Sequence, residues 1–454
     1  MGAVEQQQTL SETTVISSTT TAATGDRFVK REHGQKMLSL DNVVTREQLD
    51  LWLDRVAKAA AKKVSAKEEE DPDESLTVTL LTEPKLDGLS LSVRYSPTFS
   101  TTDGAKVWQL QWAATRGDGR VGQDVTSVVK ANLETFGISA QLSDTPFDNN
   151  GNDDDDIGTD TEIRGEVVFP NSLFFSLDQM QSNFYNPRNA ASGILLRKHR
   201  VVEDTADGEA KVEESSSALQ GHLKFMTFAE ARHPKRKQRV LGTNIDSAVW
   251  TLVKFWKKSG FNMPTPFVST TLTLQKSQST DENDEKKTND GALTWNEDDL
   301  VNLLEYHEKM GEYREQQQQE PQKTSKRRSS SKNDWDWGDY GMDGCVHKVS
   351  GAELRTAMGD TNRAPKWAVA HKFPAQAVVT QLLGMEVQVG RTGALTPVAV
   401  LAPVELEGAP IQRATLHNFV HMRHVSLNSE DAHTINMIQF RSSFLFYKST
   451  NTMA

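Results

Sequence analysis

The fold and its chemistry are read outward from one stretch, Glu83-Pro84-Lys85-Leu86-Asp87-Gly88, which runs directly into Leu89-Ser90-Leu91-Ser92-Val93-Arg94-Tyr95. In the second part the apolar residues Leu89, Leu91, Val93 and Tyr95 alternate with polar ones, so they share one face of a strand. A strand pattern at Leu76–Leu81 precedes the stretch, which places Lys85 between two strands. Pro84 and Gly88 interrupt a hydrogen-bond ladder, and the reading therefore puts Lys85 at a sheet edge or rim. A lysine amine attacks phosphorus only in its neutral form, which calls for burial or nearby cations. Taken alone, Lys-x-Asp-Gly is a weak signal and fits a surface lysine before a turn better.

Other segments change that balance. Ala114-Thr115-Arg116-Gly117-Asp118-Gly119 and Gly122-Gln123-Asp124-Val125-Thr126 make a glycine-dense loop with one cation in its first half. Such a loop lets backbone N–H groups and Arg116 approach a phosphate or ribose, and a plain hairpin turn also accounts for the glycines. Arg164-Gly165-Glu166 lies in a strand pattern whose period of two puts Arg164 and Glu166 on one face. That pair suits a ribose hydroxyl or a metal-bound water, or else a surface salt bridge. Asp343-Gly344-Cys345-Val346-His347-Lys348-Val349 reads as a turn entering a strand. Trp367–Ala375 is an apolar strand that contains Lys372. Lysines are seldom buried without a partner, so Lys348 and Lys372 each need an anion, and a phosphate would serve. A nucleophile, acidic residues and several cations together fit phosphoryl or nucleotidyl transfer.

The remaining chain bounds the architecture. It has 454 residues, a formal charge of -11, 36% hydrophobic residues and one cysteine, Cys345. Its acidic balance argues against simple coating of nucleic acid by a basic surface. A single thiol supplies neither an intrachain disulfide nor a four-cysteine zinc site. No apolar run reaches the length of a membrane span. Residues 65–75, 143–160, 202–217, 275–289 and 315–333 have linker composition and read as disordered inserts. Thr45 and Gln48 resemble a capping box opening a helix through Leu49, Trp52, Leu53 and Val56. Further helices are expected at Asp246–Lys258, stopped by Gly260, and after Asn296 through Leu300, Leu303 and Leu304. Strands are expected at Val107–Trp112, Ile163–Phe169, Gly344–Val349 and Val378–Val389. This mixture indicates an α+β domain of antiparallel sheets with helices.

The ordered set of motifs resembles the covalent nucleotidyltransferases, the group of DNA ligases, RNA ligases and messenger-RNA capping enzymes. Met37-Leu38-Ser39-Leu40-Asp41-Asn42, the Ala114–Gly119 loop, Asn186–Gly193, His371–Ala375 and Val389–Val398 narrow the resemblance to NAD-dependent DNA ligases. Arg413-Ala414-Thr415-Leu416-His417-Asn418 is similar to the start of that family's OB-fold domain. The resemblance implies an adenylation domain over residues 33–376 and a partial β-barrel OB-fold over 377–427. A disordered tail, 1–32, would precede them, and a divergent tail, 428–454, would follow. Lys85 would be the adenylated nucleophile. Glu83 would contact adenine, Ser39 and Leu40 would line the nucleotide pocket, and Arg116 and Glu166 would engage the ribose and its neighbours. Lys348 and Lys372 would neutralise the α-phosphate, and Asp87 and Arg188 match motif positions. NAD, Mg²⁺ and nicked double-stranded DNA are implied, for a monomer working in a DNA-containing compartment inside the cell.

Some positions depart from the family. Nothing in residues 1–32 resembles its nicotinamide-binding segment, and the likeness ends near Leu427. Cys345 and His347 stand where Val and Ile are usual, and His371 where Tyr is usual. The Gly193–Arg197 turn is one residue longer. Two other readings stay open at this level: an RNA ligase or capping type of nucleotidyltransferase, and a truncated, non-catalytic nick-binding fragment.

Overall fold

The chain crosses from one sheet to another at Asp87-Gly88, between two eleven-residue strands, Leu76–Leu86 and Leu89–Phe99. Gly88 is required there, because a Cβ at that position would lie 2.1 Å from the Val167 carbonyl oxygen. The computed structural model describes residues 29–64, 76–143, 160–197, 215–232, 255–264, 266–276, 293–319, 339–374, 378, 380–390, 393–406, 409–418, 439–441 and 444–446. The expected inserts lie largely outside these residues.

In chain order the elements begin with β1 (Lys30–Glu32), β2 (Asp41–Val43), α1 (Arg46–Val64), β3 (Leu76–Leu86), β4 (Leu89–Phe99) and β5 (Lys106–Thr115). Next come β6 (Val121–Gln123), α2 (Thr126–Ala131), α3 (Leu133–Phe136), β7 (Gln141–Leu142) and β8 (Thr161–Val168). They are followed by α4 (Asn171–Ser176), α5 (Asp178–Asn183), α6 (Pro187–Leu195), α7 (Ser215–Gln220) and β9 (Lys224–Arg232). The series continues with β10 (Val268–Lys276), β11 (Leu293–Trp295), α8 (Glu297–Gln319), β12 (Met342–Val349), α9 (Ala352–Met358) and β13 (Ala368–Lys372). Beyond these lie β14 (Leu382–Val389), β15 (Leu395–Leu406), β16 (Ala409–Thr415) and a short hairpin, β17 (Gln439–Arg441) with β18 (Phe444–Phe446).

The first large sheet has the order β11-β10-β3-β12-β13-β2, and the second β7-β5-β4-β8-β9. Pairing is antiparallel except between β13 and β2, which run parallel. Leu91, Val93 and Tyr95 are fully buried in the second sheet's core with Ile163, Phe174 and Ile194, as their alternation predicts. The first sheet packs Leu80, Leu272 and Val369 against Trp52 and Val56 of α1 and Leu300 and Leu303 of α8. The Gln48 side chain accepts from the Val44 N–H at 2.8 Å, while the Gln48 N–H donates to Thr45 Oγ1 at 3.4 Å, which completes the expected cap. β14, β15 and β16 form a separate antiparallel sheet over a small core of Ala399, Leu401, Ala414 and Leu416.

Some expectations need correction. β3 is an interior strand, yet its ladder to β10 stops at Thr82, whereas its ladder to β12 continues to Leu86. Pro84 therefore falls where β3 is paired on one side only, and its missing N–H costs no hydrogen bond. Lys85 is at a local rim of a central strand. The insert expected from 315 begins inside α8, which runs to Gln319. Glutamine is a good helix former, and Gln317 is buried against Asn171, whose side-chain N–H donates to it at 3.2 Å. The expected helix at Asp246–Lys258 lies outside the described residues except for its last turn, 255–258, which is helical; Gly260 follows it at φ +78°. The last expected strand starts at Leu382 rather than Val378.

Candidate active site

Register brings the lysines together. Lys85 of β3 pairs with Gly344 of β12, and Gly344 pairs with Lys372 of β13, so these residues form one rung on one face of the sheet. The next rung is Glu83, Val346 and Ala370, and beyond it come Leu81, Lys348 and Ala368. Gly344 keeps the space between the lysines open. A Cβ there would lie 2.3 Å from the His371 carbonyl oxygen and 2.7 Å from Lys372 Cα.

Each cation already has a carboxylate partner. The Lys85 Nζ donates to Asp343 at 2.8 Å, and the Lys372 Nζ stands 3.3 Å from the other oxygen of that carboxylate. Lys348 pairs with the buried Glu83 carboxylate and donates to the Phe228 carbonyl of β9 at 3.0 Å. The anions that Lys348 and Lys372 require are thus supplied by the protein. A phosphate would compete with Asp343 and Glu83 rather than fill an unpaired position. Arg188, in the first turn of α6, donates to Asp87 at 2.6 Å.

Glu166 lies on β8, where Ser90 donates to it at 2.8 Å. Burial pushes its carboxyl up to about 7, opposed by the Ser90 hydrogen bond and by the charge of Lys85. Asp87 is also held above the usual carboxylate range, chiefly by burial, while Arg188 opposes the shift. Arg164 shares the Glu166 face as expected, but its guanidinium holds protein groups: it pairs with Glu162 at 3.2 Å and donates to the Gln35 and Lys36 carbonyls.

Ser39, Leu40 and Arg116 form a second group. Residues 33–40 are a strap between the two sheets. The Met37 N–H donates to the Gly119 carbonyl at 2.8 Å, and the Ser39 N–H to the Arg363 carbonyl at 2.8 Å. Arg116 lies in the turn between β5 and β6, with its N–H on the Ser90 carbonyl at 3.0 Å. Ser90 links the groups, since its hydroxyl reaches Glu166. Among the described residues no hydrogen bond or ion pair joins Ser39, Leu40 or the Arg116 guanidinium directly to Lys85. The loop's glycines answer to the turn itself. Gly117 is at φ +57°, and a Cβ on Gly122 would lie 1.6 Å from the Thr115 carbonyl oxygen. The Gly119 N–H is taken up by the Arg116 carbonyl at 3.0 Å.

Behind the lysine face is a buried histidine network. His347 Nδ1 is 2.9 Å from Thr82 Oγ1, and His347 Nε2 is 3.2 Å from His371 Nδ1. The His371 ring stacks on His307 of α8 at 3.6 Å between centroids. Burial holds all three below the ordinary imidazole value, His371 at about 3. Composition gave no hint of this cluster, because His307 is remote in sequence from the other two. Asp343 was visible as the first residue of its motif, but its bond to Lys85 requires the strand register.

Two facing sheets with a lysine-bearing rung between carboxylates define an adenylation-type nucleotidyl-transfer fold. The model of the NAD-dependent DNA ligase adenylation domain matches residues 25–207 and 275–376, and that of the NAD-dependent DNA ligase OB-fold domain matches 379–437. The chain belongs to the NAD-dependent DNA ligase family. It is 31% identical over 416 residues to a DNA ligase of Bartonella bacilliformis, covering 90% of this chain and 43% of that protein. It is 32% identical over 403 residues to a DNA ligase of Hyphomonas neptunium, covering 87% and 42%. A DNA ligase of Nitrobacter hamburgensis is 30% identical over 407 residues, covering 88% and 42%. The chain therefore spans about two fifths of the length of the curated relatives it matches. Among the described residues no helix is long and apolar enough to cross a membrane.

Proposed function

We propose that this chain is the adenylating core of an NAD-dependent DNA ligase, which forms a Lys85–AMP intermediate and passes the AMP to the 5′-phosphate of nicked DNA. One observation carries the reading: Lys85 stands in a single rung with Lys372, with Glu83 in the next rung and Lys348 in the one beyond it on the same face. The Lys85 nitrogen attacks the α-phosphorus of NAD, the pyrophosphate P–O bond breaks, and nicotinamide mononucleotide leaves. Lys348 and Lys372 stabilise the negative charge that grows on the phosphate oxygens. Glu83, Ser39 and Leu40 hold the adenosine, with Arg116 and Glu166 at the ribose. A 5′-phosphate oxygen of the nick then displaces Lys85 from phosphorus. Attack by the 3′-hydroxyl on the 5′ phosphorus releases AMP and closes the strand.

Mg²⁺ belongs to the same reading. Among the described residues no three His, Cys, Asp or Glu side chains are arranged to hold a metal ion. Asp87 and Glu166, however, are two carboxylates whose burial is incompletely compensated, and a largely hydrated Mg²⁺ needs only one or two such ligands plus phosphate. Bound there, it would neutralise phosphate charge. The same reading divides the chain into an adenylation domain over 33–376 and an OB-fold domain from 377, acting as a monomer on nicked duplex within a DNA-containing compartment. The test is to incubate the chain with adenylate-labelled NAD and Mg²⁺ and map the label. Label on Lys85 alone supports the reading; label elsewhere, or label surviving Lys85→Ala, overturns it.

A further inference from the structure

A clamp of buried charge stands beside the site. The Glu162 carboxylate of β8 is 3% exposed. It accepts the Gly34 N–H at 2.6 Å and the Ser92 hydroxyl at 3.2 Å, and pairs with Arg94 at 3.3 Å and Arg164 at 3.2 Å. A buried carboxylate is costly unless its lone pairs are used, and here both oxygens are engaged. Much of what they hold is the backbone of the strap, directly at Gly34 and through Arg164 at Gln35 and Lys36.

We propose that Glu162 is a positioning residue for nucleotide binding, which fixes the start of the strap on β8 and thereby sets Ser39 and Leu40 against the nucleoside. The inference rests on the proposed reading that Ser39 and Leu40 line the nucleotide pocket. Gly34 has the space this requires and no more: a Cβ there would lie 3.0 Å from Glu162 Oε1 and 3.2 Å from an Arg94 nitrogen. Arg94 lies over the Trp112 ring at 5.7 Å, and that ring packs against His33 at 6.1 Å. His33 Nε2 in turn stands 3.1 Å from the Thr115 carbonyl and 3.3 Å from that of Arg116. One cluster therefore sets both the strap and the turn that carries Arg116. Ser39 follows Gly34 by only five positions, and the Met37 and Ser39 N–H bonds to the Gly119 and Arg363 carbonyls hold the far end of the same short strap.

A purely structural role would lower stability and leave the affinity of the folded protein unchanged. The experiment titrates AMP into the full chain as wild type, Glu162→Ala, Glu162→Gln and Gly34→Ala, and measures thermal unfolding of each without nucleotide. Loss of a hydrogen bond to a charged group should weaken AMP binding by about tenfold or more in Glu162→Ala. Gly34→Ala, which pushes the strap off the carboxylate, should behave similarly. Glu162→Gln keeps an oxygen for the Gly34 N–H but sets an amide NH2 against the Ser92 and Arg164 donors, so it should bind more weakly than wild type yet several-fold more tightly than Glu162→Ala. Wild-type AMP affinity in Glu162→Ala, whatever its melting temperature, overturns the inference while the nucleotide reading stands. If Glu162→Ala does not fold, undiminished binding by Gly34→Ala does the same. Equal loss in Glu162→Gln and Glu162→Ala overturns the assignment to the strap contact. A wild-type chain that does not bind AMP overturns the reading and the inference together.

Discussion

The Asp343 carboxylate bridges Lys85 and Lys372, 2.8 Å from the first amine and 3.3 Å from the second, across the gap left by Gly344. On the proposed reading it keeps its hold on Lys85 and orients that amine for attack, while a phosphate replaces it at Lys372. Asp343→Asn keeps the shape and removes the charge-assisted bond, a type worth about 1.5–3 kcal/mol. Single-turnover labelling of Lys85 should slow by roughly tenfold to a hundredfold, with AMP affinity changed less. Labelling at the wild-type rate would remove Asp343 from the chemistry.

Lys348 and Lys372 are expected to act on the chemical step. Removing one preorganised donor to developing charge costs about 3–4 kcal/mol of transition-state stabilisation. Lys348→Ala and Lys372→Ala should therefore depress the labelling rate at saturating NAD far more than they raise the apparent KM. A change confined to KM would assign them to ground-state binding instead.

Gly344 and Gly311 make an informative pair. In Gly344→Ala the new Cβ meets backbone at 2.3 Å, so β12 and β13 must separate. About 1–3 kcal/mol of stability should be lost, along with labelling. Gly311 lies within α8, where the nearest atom a Cβ would meet is a Phe373 ring carbon at 3.5 Å. Gly311→Ala should gain about 0.5–1 kcal/mol from helix propensity. Denaturant unfolding of both variants checks the contrast, which fails if Gly344→Ala is neutral.

The histidine network sets an acid limit on stability. His347 is lowered by burial and by His371 and His307, His371 by burial and His307, and His307 by burial with Arg314 adding to the effect. An unfolded chain takes up protons on these imidazoles near 6.5, whereas the folded chain resists. Their contribution is therefore full above 6.5 and is lost as pH falls from there toward about 3, the value for His371. Melting temperatures of wild type and His371→Tyr between pH 7 and pH 4 should diverge, with the variant losing less on acidification. Parallel curves would show that the network does not titrate in this way.

What could be read from sequence follows the range of each interaction. The shared face of Leu91, Val93 and Tyr95 and the Thr45–Gln48 cap are local and were legible. So was the need of Lys348 and Lys372 for anions, because burying a lysine dictates it. That those anions are Glu83 and Asp343 was not legible, since the answer depends on register with a bulge between Met342 and Gly344. Lys85 was read at a sheet edge or rim, and it is the rim that holds: Pro84 reports one-sided pairing, but not that the β10 ladder stops at Thr82 on an otherwise interior strand. Glu162 escaped notice because its backbone partner Gly34 is 128 residues away. The glutamine run misled through composition, as helix propensity and the burial of Gln317 outweighed low complexity.

Pairing Lys348 with Glu83 and Lys372 with Asp343 leaves the cleft nearly self-neutralised before any nucleotide enters. An inorganic anion arriving there offers charge alone and merely exchanges one partner for another, with little net gain. A nucleotide would bring its purine and ribose as well, and on the proposed reading those contacts would drive the exchange forward. On the proposed reading the paired lysines would act as a selectivity filter: stray phosphate would be a poor inhibitor, and the cations would be released only to a ligand that carries the rest of the adenylate.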